Sequence, residues 1–213
     1  MVRLTDPQRQ ARREQILDAA RSCFSRNGFH NTTTADIAKA AGVAQGTFYL
    51  YFPTKDDVIV ALADDRRDGE AQINSIANAE EDAVAGLGSL LDLHSRTLSD
   101  PKRREERRVA IQGWAEALRN EVIRRRLLQN SSLVVEEVAR LIERGIDAGQ
   151  FRADADPRGV ARALVALFRG LTLQAAWDDT YGPELLGTAV GDMLRGALLP
   201  PDPSRKAGPQ AQG

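Results

Sequence analysis

Thr33–Lys55 reads TTADIAKAAGVAQGTFYLYFPTK, and its pattern is that of two short helices packed across a turn. Ile37, Ala41, Val43 and Phe48 fall where they pin one helix to the other. Ala38 is small enough to let the second helix cross closely. Gly42 stands where the chain must turn, and without a Cβ it takes a positive φ at no steric cost. Pro53 stops the second helix and Thr54 starts another. The spacing predicts helices near 34–41 and 45–51, with Thr33 and Asp36 as a capping box on the first. The second carries Gln45, Thr47 and Tyr49 outward, three side chains that hydrogen-bond to phosphates or base edges. This is the pattern of a helix-turn-helix.

Working outward, residues 8–27 form an earlier helix with Ile16, Leu17, Ala20, Cys23 and Phe24 on one face. Asp6-Pro7 is its start signal and Asn27-Gly28 its stop. A fourth helix is expected from Lys55 into the seventies. Beyond residue 80, helical periodicity predicts stretches near 82–99, 103–118, 120–148, 157–178 and 183–198. They are punctuated by Asp100-Pro101, Gly149, Asp156-Pro157 and Gly182-Pro183. β-branched alternation is absent, so the expected class is all-α: a three-helix DNA-binding head, residues 1–55, on a larger helical body, 56–199. The segment 200–213, PPDPSRKAGPQAQG, has almost nothing to bury and reads as a disordered tail.

A chain of 213 residues buries a substantial core. No apolar run reaches the roughly 18 residues of a membrane span, and the N-terminus lacks the apolar segment of a signal peptide. Residence in the cytoplasm, with no membrane partner, is the expectation. The single cysteine, Cys23, excludes an internal disulfide framework and reads as packing. Net charge is −1, but it is unevenly spread: residues 1–55 hold eight Lys/Arg against four Asp/Glu, the remainder 21 against 26. A basic head on an acidic body suits a polyanion partner for the head alone. His30 and His94 stand isolated, and no HExxH, CxxC, GxSxG or phosphate-loop pattern occurs. No catalytic residue, metal site or cofactor is expected.

These residues carry a family resemblance. Phe24, Asn27-Gly28-Phe29, Thr33-Thr34, Ile37-Ala38, Ala41-Gly42-Val43, Gly46-Thr47-Phe48-Tyr49, Tyr51-Phe52 and Thr54-Lys55 resemble the N-terminal domain of TetR-family transcriptional regulators over residues 9–60. The resemblance implies a homodimer whose two heads enter successive major grooves of a palindromic double-stranded DNA operator. It also implies a body that binds a small-molecule effector, with repression relieved on binding. One departure is Ala44, at the N-cap of the second helix of the motif, where the family often has Ser; the lost cap costs about 1 kcal/mol.

The DNA-contact candidates are Thr33, Thr34, Gln45, Gly46, Thr47, Tyr49, Tyr51 and Lys55. Thr33 and Thr34 either cap their helix or offer a hydroxyl to phosphate. Gln45 pairs with adenine N6/N7. Gly46 admits the backbone close to DNA, or simply starts the helix. Thr47 meets a thymine methyl or a phosphate, and Tyr49 a phosphate. Tyr51 either contacts phosphate or fills the core of the head, and Lys55 clamps a backbone phosphate.

In the body, polar and aromatic residues on apolar helical faces are the effector candidates: His94, Trp114, Glu116, Phe168, Gln174 and Trp177. A Trp with a nearby Glu suits a cation. Leu164, Leu167 and Leu171, with Leu186, Val190 and Met193, are expected to build a four-helix dimer interface. The mixed-sign run 102–108 reads as a solvated helical face. The competing reading keeps the DNA head but makes the chain a ligand-independent regulator, or an activator acting through a protein partner.

Overall fold

The computed structural model describes residues 5–64, 73, 75–78, 82–178 and 183–199; the side chains of 183–187 and the tail expected at 200–213 lie outside this description. The described residues are helical, with no strand among them. Helix α1 spans Asp6–Asn31 and is broken at Gly28, whose φ of 81° and ψ of 164° are non-helical. The stop expected at Asn27-Gly28 is thus a kink, after which one further turn leads to the motif. Helix α2 is Thr34–Ala40, α3 Gln45–Tyr51 and α4 Lys55–Asp64. Whether α4 continues into the seventies lies outside the described residues.

The turn between α2 and α3 closes as the sequence requires. Gly42 has φ 63°, its N–H donates to Lys39 O at 3.1 Å, and Val43 N–H donates to Ala38 O at 3.0 Å. That pair of bonds satisfies the last carbonyls of α2 and reverses the chain in two residues. At the other end of α2, Thr33 and Asp36 cap each other: Thr33 N–H and Oγ1–H donate to Asp36 Oδ2 at 2.9 and 2.7 Å, and Asp36 N–H donates to Thr33 Oγ1 at 3.1 Å. Thr54 and Asp57 repeat the arrangement at the start of α4.

The body follows with α5 (Ala83–Ser99), a 3-10 turn at Pro101–Arg103, α6 (Arg104–Glu116), α7 (Glu121–Asp147), α8 (Pro157–Trp177) and α9 (Pro183–Leu198). Asp82, Asn120 and Asp156 cap α5, α7 and α8 through their side chains. The 27-residue α7 is the axis of the body, about 40 Å long at 1.5 Å per residue, and α8 packs along it. One part of the 102–108 run departs from the solvated face expected of it. Arg107 turns inward, is 7% exposed and donates Nη1–H to the carbonyls of Thr97 and Asp100 at 3.3 and 3.1 Å, closing the end of α5. Burial pushes its guanidinium below the usual arginine range.

Two hydrophobic clusters result. The body cluster gathers Leu87 and Leu90 of α5, Val138, Leu141 and Ile142 of α7, Phe151, and Ala161 and Leu164 of α8. The head cluster is built on Ile16, Leu17, Phe24, Ile37 and Phe48, with Phe24 and Phe29 packed edge to face at 4.6 Å. It runs past the boundary expected at residue 55. Val58, Ile59, Ala61 and Leu62 of α4 belong to it, and so do Val109 of α6 and Ile123 of α7.

A candidate nucleic-acid interface

Helix α3 has two faces. Phe48 is fully buried and Phe52, just after the helix, is 3% exposed; they anchor α3 to the head core. Gln45, Gly46, Tyr49 and Leu50 are all exposed, and at 100° per residue they share one side of the helix. Thr47 lies half-buried off that stripe. Ala44 is the N-cap and supplies no side-chain bond, as expected from its methyl group. Gly46 has no heavy atom within 4 Å of where a Cβ would stand, so this part of the face is open to a close approach.

Thr34, the first residue of α2, meets this stripe. Its Oγ1 lies 3.0 Å from the Tyr49 hydroxyl, joining the start of α2 to the outer face of α3 in one hydroxyl-bearing edge. Two hydroxyls on one edge are chemically able to donate to phosphate oxygens, whatever the base sequence. Gln45 stands clear of it, with an amide that matches the donor–acceptor pair of adenine. Thr33 is committed to its capping box, and the bonds it donates from side chain and backbone hold the Asp36 carboxyl below its ordinary range. Tyr51 is half-buried and packs against the head cluster. Lys55 Nζ donates to Phe29 O at 2.6 Å and Thr32 O at 3.1 Å. Two of its three protons therefore tie α4 to the turn before α2. Arg9, Arg12 and Arg13 are part of α1; Arg12 donates to Gln15 and Arg13 stacks over Phe52 at 5.5 Å.

Known regulatory proteins resemble both parts of this chain. The model of bacterial regulatory proteins of the tetR family matches residues 16–62, and that of the BetI-type transcriptional repressor C-terminal domain matches residues 90–199, half of the chain. The chain belongs to the TetR family. It is a DNA-binding transcriptional regulator and not an enzyme. Over 196 residues it is 27% identical to the HTH-type transcriptional regulator YfiR of Bacillus subtilis, itself uncharacterized, covering 90% of this chain and 93% of that one. GusR of Salmonella enterica superimposes with a TM-score of 0.73 at 26% identity, over 92% of this chain and 98% of that one. SmeT, solved as a triclosan complex, superimposes with 0.72 at 25% identity, over 95% and 100%. Among the described residues no helix is long and apolar enough to cross a membrane.

The body of this TetR-family chain sorts its candidates into different places. His94 of α5 stacks on Phe168 of α8, ring centroids 4.2 Å apart, so these two converge inside the body. Trp114 of α6 is half-buried, and its ring face is taken by the Arg169 guanidinium at 5.9 Å. Glu116 points away from the body, with Oε2 3.3 Å from His30 Nε2 of α1. Trp114 and Glu116 therefore do not form the cation site that their sequence proximity suggested. Gln174 is exposed and Trp177 is 71% exposed. An open groove of about 820 Å³ runs along the first half of α7 between Glu121 and Leu133, and its lining includes none of the six effector candidates.

The interface candidates also divide. Leu164, Leu171 and Val190 are at most 7% exposed within the chain itself, so their side chains are spent on the chain's own core. Leu167 is half-buried and Met193 is 66% exposed, while the side chain of Leu186 lies outside the described residues. The outward face of α8 carries Ala163, Ala166, Gly170, Gln174 and Trp177 in one stripe, flanked by the exposed Arg162 and Arg169. Periodicity located the apolar stripe of α8 but not which stripe stays outside.

Two residues escaped the sequence reading. Leu50 lies on the exposed stripe of α3 and is 83% exposed; its place four residues beyond Gly46 was the available signal. Gln112 of α6 accepts from Phe29 N–H at 3.1 Å and donates from Nε2 to Phe24 O at 3.0 Å, spanning the Gly28 kink. These bonds join residues more than 80 positions apart, and no local pattern announces them.

Proposed function

We propose that the chain is a homodimeric repressor that binds a palindromic operator and is released by a small-molecule effector held in the body. The observation that carries the DNA part is the single exposed stripe of α3 abutting the Thr34–Tyr49 edge. Gln45 reads a base, Thr34 and Tyr49 engage phosphate, and Gly46 permits the approach. The small-residue stripe Ala163, Ala166 and Gly170 on the outside of α8, with Met193 of α9, supports pairing of two copies, because Ala and Gly let helices pack closely between the flanking arginines. Two heads then stand about 34–36 Å apart to meet successive major grooves.

The effector reading rests on the body's aromatic contacts, His94 on Phe168 and Arg169 over Trp114, and on the likeness to the SmeT–triclosan structure. The route from body to head runs through α6 and α7. Gln112 and Glu116, one turn apart on α6, hold the end of α1. Asn120 Nδ2–H donates to Asp56 Oδ2 at 2.7 Å, Arg126 pairs with Asp64, and Asn130 donates to Ala63 O at 3.3 Å, so α7 holds α4. An effector that shifts α6 against α8 changes the separation of the heads.

The test is operator binding, measured by fluorescence anisotropy with duplexes selected from a random pool, for the wild type and for Gln45→Ala and Tyr49→Ala. Gln45→Ala is expected to lose about 1–3 kcal/mol of affinity at one base position, and Tyr49→Ala to weaken binding evenly across sequences. Unchanged affinity in both variants overturns the site assignment. A wild type indifferent to duplex DNA at low salt overturns the function.

A further inference from the structure

We propose that Leu50 is a base-reading residue, packing against the 5-methyl group of a thymine in the major groove beside the base read by Gln45. The inference rests on the reading of α3 as the recognition helix. Leu50 is 83% exposed and takes no part in the head cluster or in the layer packed against it. A lone exposed leucine is ordinary on a protein surface, so its position decides the matter. It sits on the same stripe as Gln45, Gly46 and Tyr49, one turn beyond Gly46. The glycine leaves that part of the face flat and open, so Leu50 is the apolar group that projects there.

The neighbouring side chains divide the labour. The Tyr49 hydroxyl is drawn 3.0 Å from Thr34 Oγ1, toward the start of α2, which places it on the phosphate edge. Gln45 supplies an amide for a base edge. Leu50 has no donor or acceptor. Against guanine, adenine or cytosine it covers polar atoms without replacing their hydrogen bonds with water, which is unfavourable. In the major groove the one apolar group that a base presents is the thymine methyl. Leu50 thereby selects thymine over cytosine, which lacks the methyl and carries an amino group in its place.

Deoxyuridine differs from thymidine by that methyl alone, so it isolates the contact. With an operator selected from random duplexes by the full chain, each thymine is replaced in turn by deoxyuridine, symmetrically in both half-sites. Dissociation constants at fixed salt are then compared for the wild type and Leu50→Ala. One position is expected to cost the wild type about fourfold per half-site, or about fifteenfold across both, the worth of one buried methyl group. Leu50→Ala should bind the thymine operator more weakly, melt at the wild-type temperature, and show no uracil penalty at that position. Tight wild-type binding with no uracil-sensitive position overturns the assignment of Leu50 and leaves α3 as the recognition helix. The same uracil penalty in Leu50→Ala overturns it too, giving the methyl contact to another residue. No duplex binding by the wild type overturns the recognition-helix reading and this inference together.

Discussion

Truncating Gln112 to alanine probes the join between head and body most directly. The side chain makes two hydrogen bonds across the kink at Gly28, to Phe29 N–H at 3.1 Å and Phe24 O at 3.0 Å. Both partners are backbone groups in partly buried surroundings, so the truncation leaves a donor and an acceptor without their native partners. At about 1 kcal/mol net for each bond, the loss is about 2 kcal/mol. For a chain of this size that lowers the melting temperature by about 4–8 °C. Arg108→Ala, an exposed change on the same helix, is the control and should stay within about 0.5 kcal/mol. Thermal denaturation followed by circular dichroism gives the first readout, and operator affinity without effector gives the second. Gln112→Ala should weaken operator binding while keeping the base preference assigned to Gln45. A variant that melts within a degree of the wild type and binds operator unchanged would refute the idea that α6 holds the head through this residue.

Ala44→Ser adds the missing cap to α3 and should raise stability by about 1 kcal/mol, measured by denaturant unfolding. Lys55→Met should lower stability by about 2 kcal/mol before any DNA is added, since a charged donor is withdrawn from two carbonyls; an unchanged melting temperature would leave the ammonium group to phosphate alone. The Asp36 carboxyl is held below its ordinary value by Thr33. A depressed folded-state pKa means that its contribution is present above the unfolded value near 4 and lost as pH falls through the lower folded value. Amide exchange in α2 should therefore accelerate as pH falls below about 4, beyond the intrinsic trend, and Asp36→Asn should remove that extra dependence.

The local architecture of the head was legible because its determinants are local. Thr33 and Asp36 lie three residues apart, Gly42 must turn the chain, and Phe48 and Phe52 share one face; α2 and α3 follow within a residue of the expected ends. What stayed hidden is non-local. The Lys55 side chain finds carbonyls more than 20 residues away, and Gln112 and Glu116 look outward from α6 to a helix at the other end of the chain. Spacing along a helix reveals an apolar stripe but not what lies opposite, so it points to a second copy at Leu164 and Leu171, which are buried within the chain itself. Trp114 and Glu116, two residues apart, suggested one site because sequence distance is short. At 100° per residue they point to different sides of α6.

Val109 and Ile123 lie in the same apolar cluster as Phe48. A chimera that transplants residues 1–64 onto the trunk of another regulator would leave that cluster open on one side. The graft would expose apolar surface that α6 and α7 now cover, unless the recipient offered side chains of similar shape at those two places. Exchange of operator preference between relatives is therefore better attempted by rewriting the exposed stripe Gln45, Gly46, Tyr49 and Leu50 than by moving the whole front of the molecule.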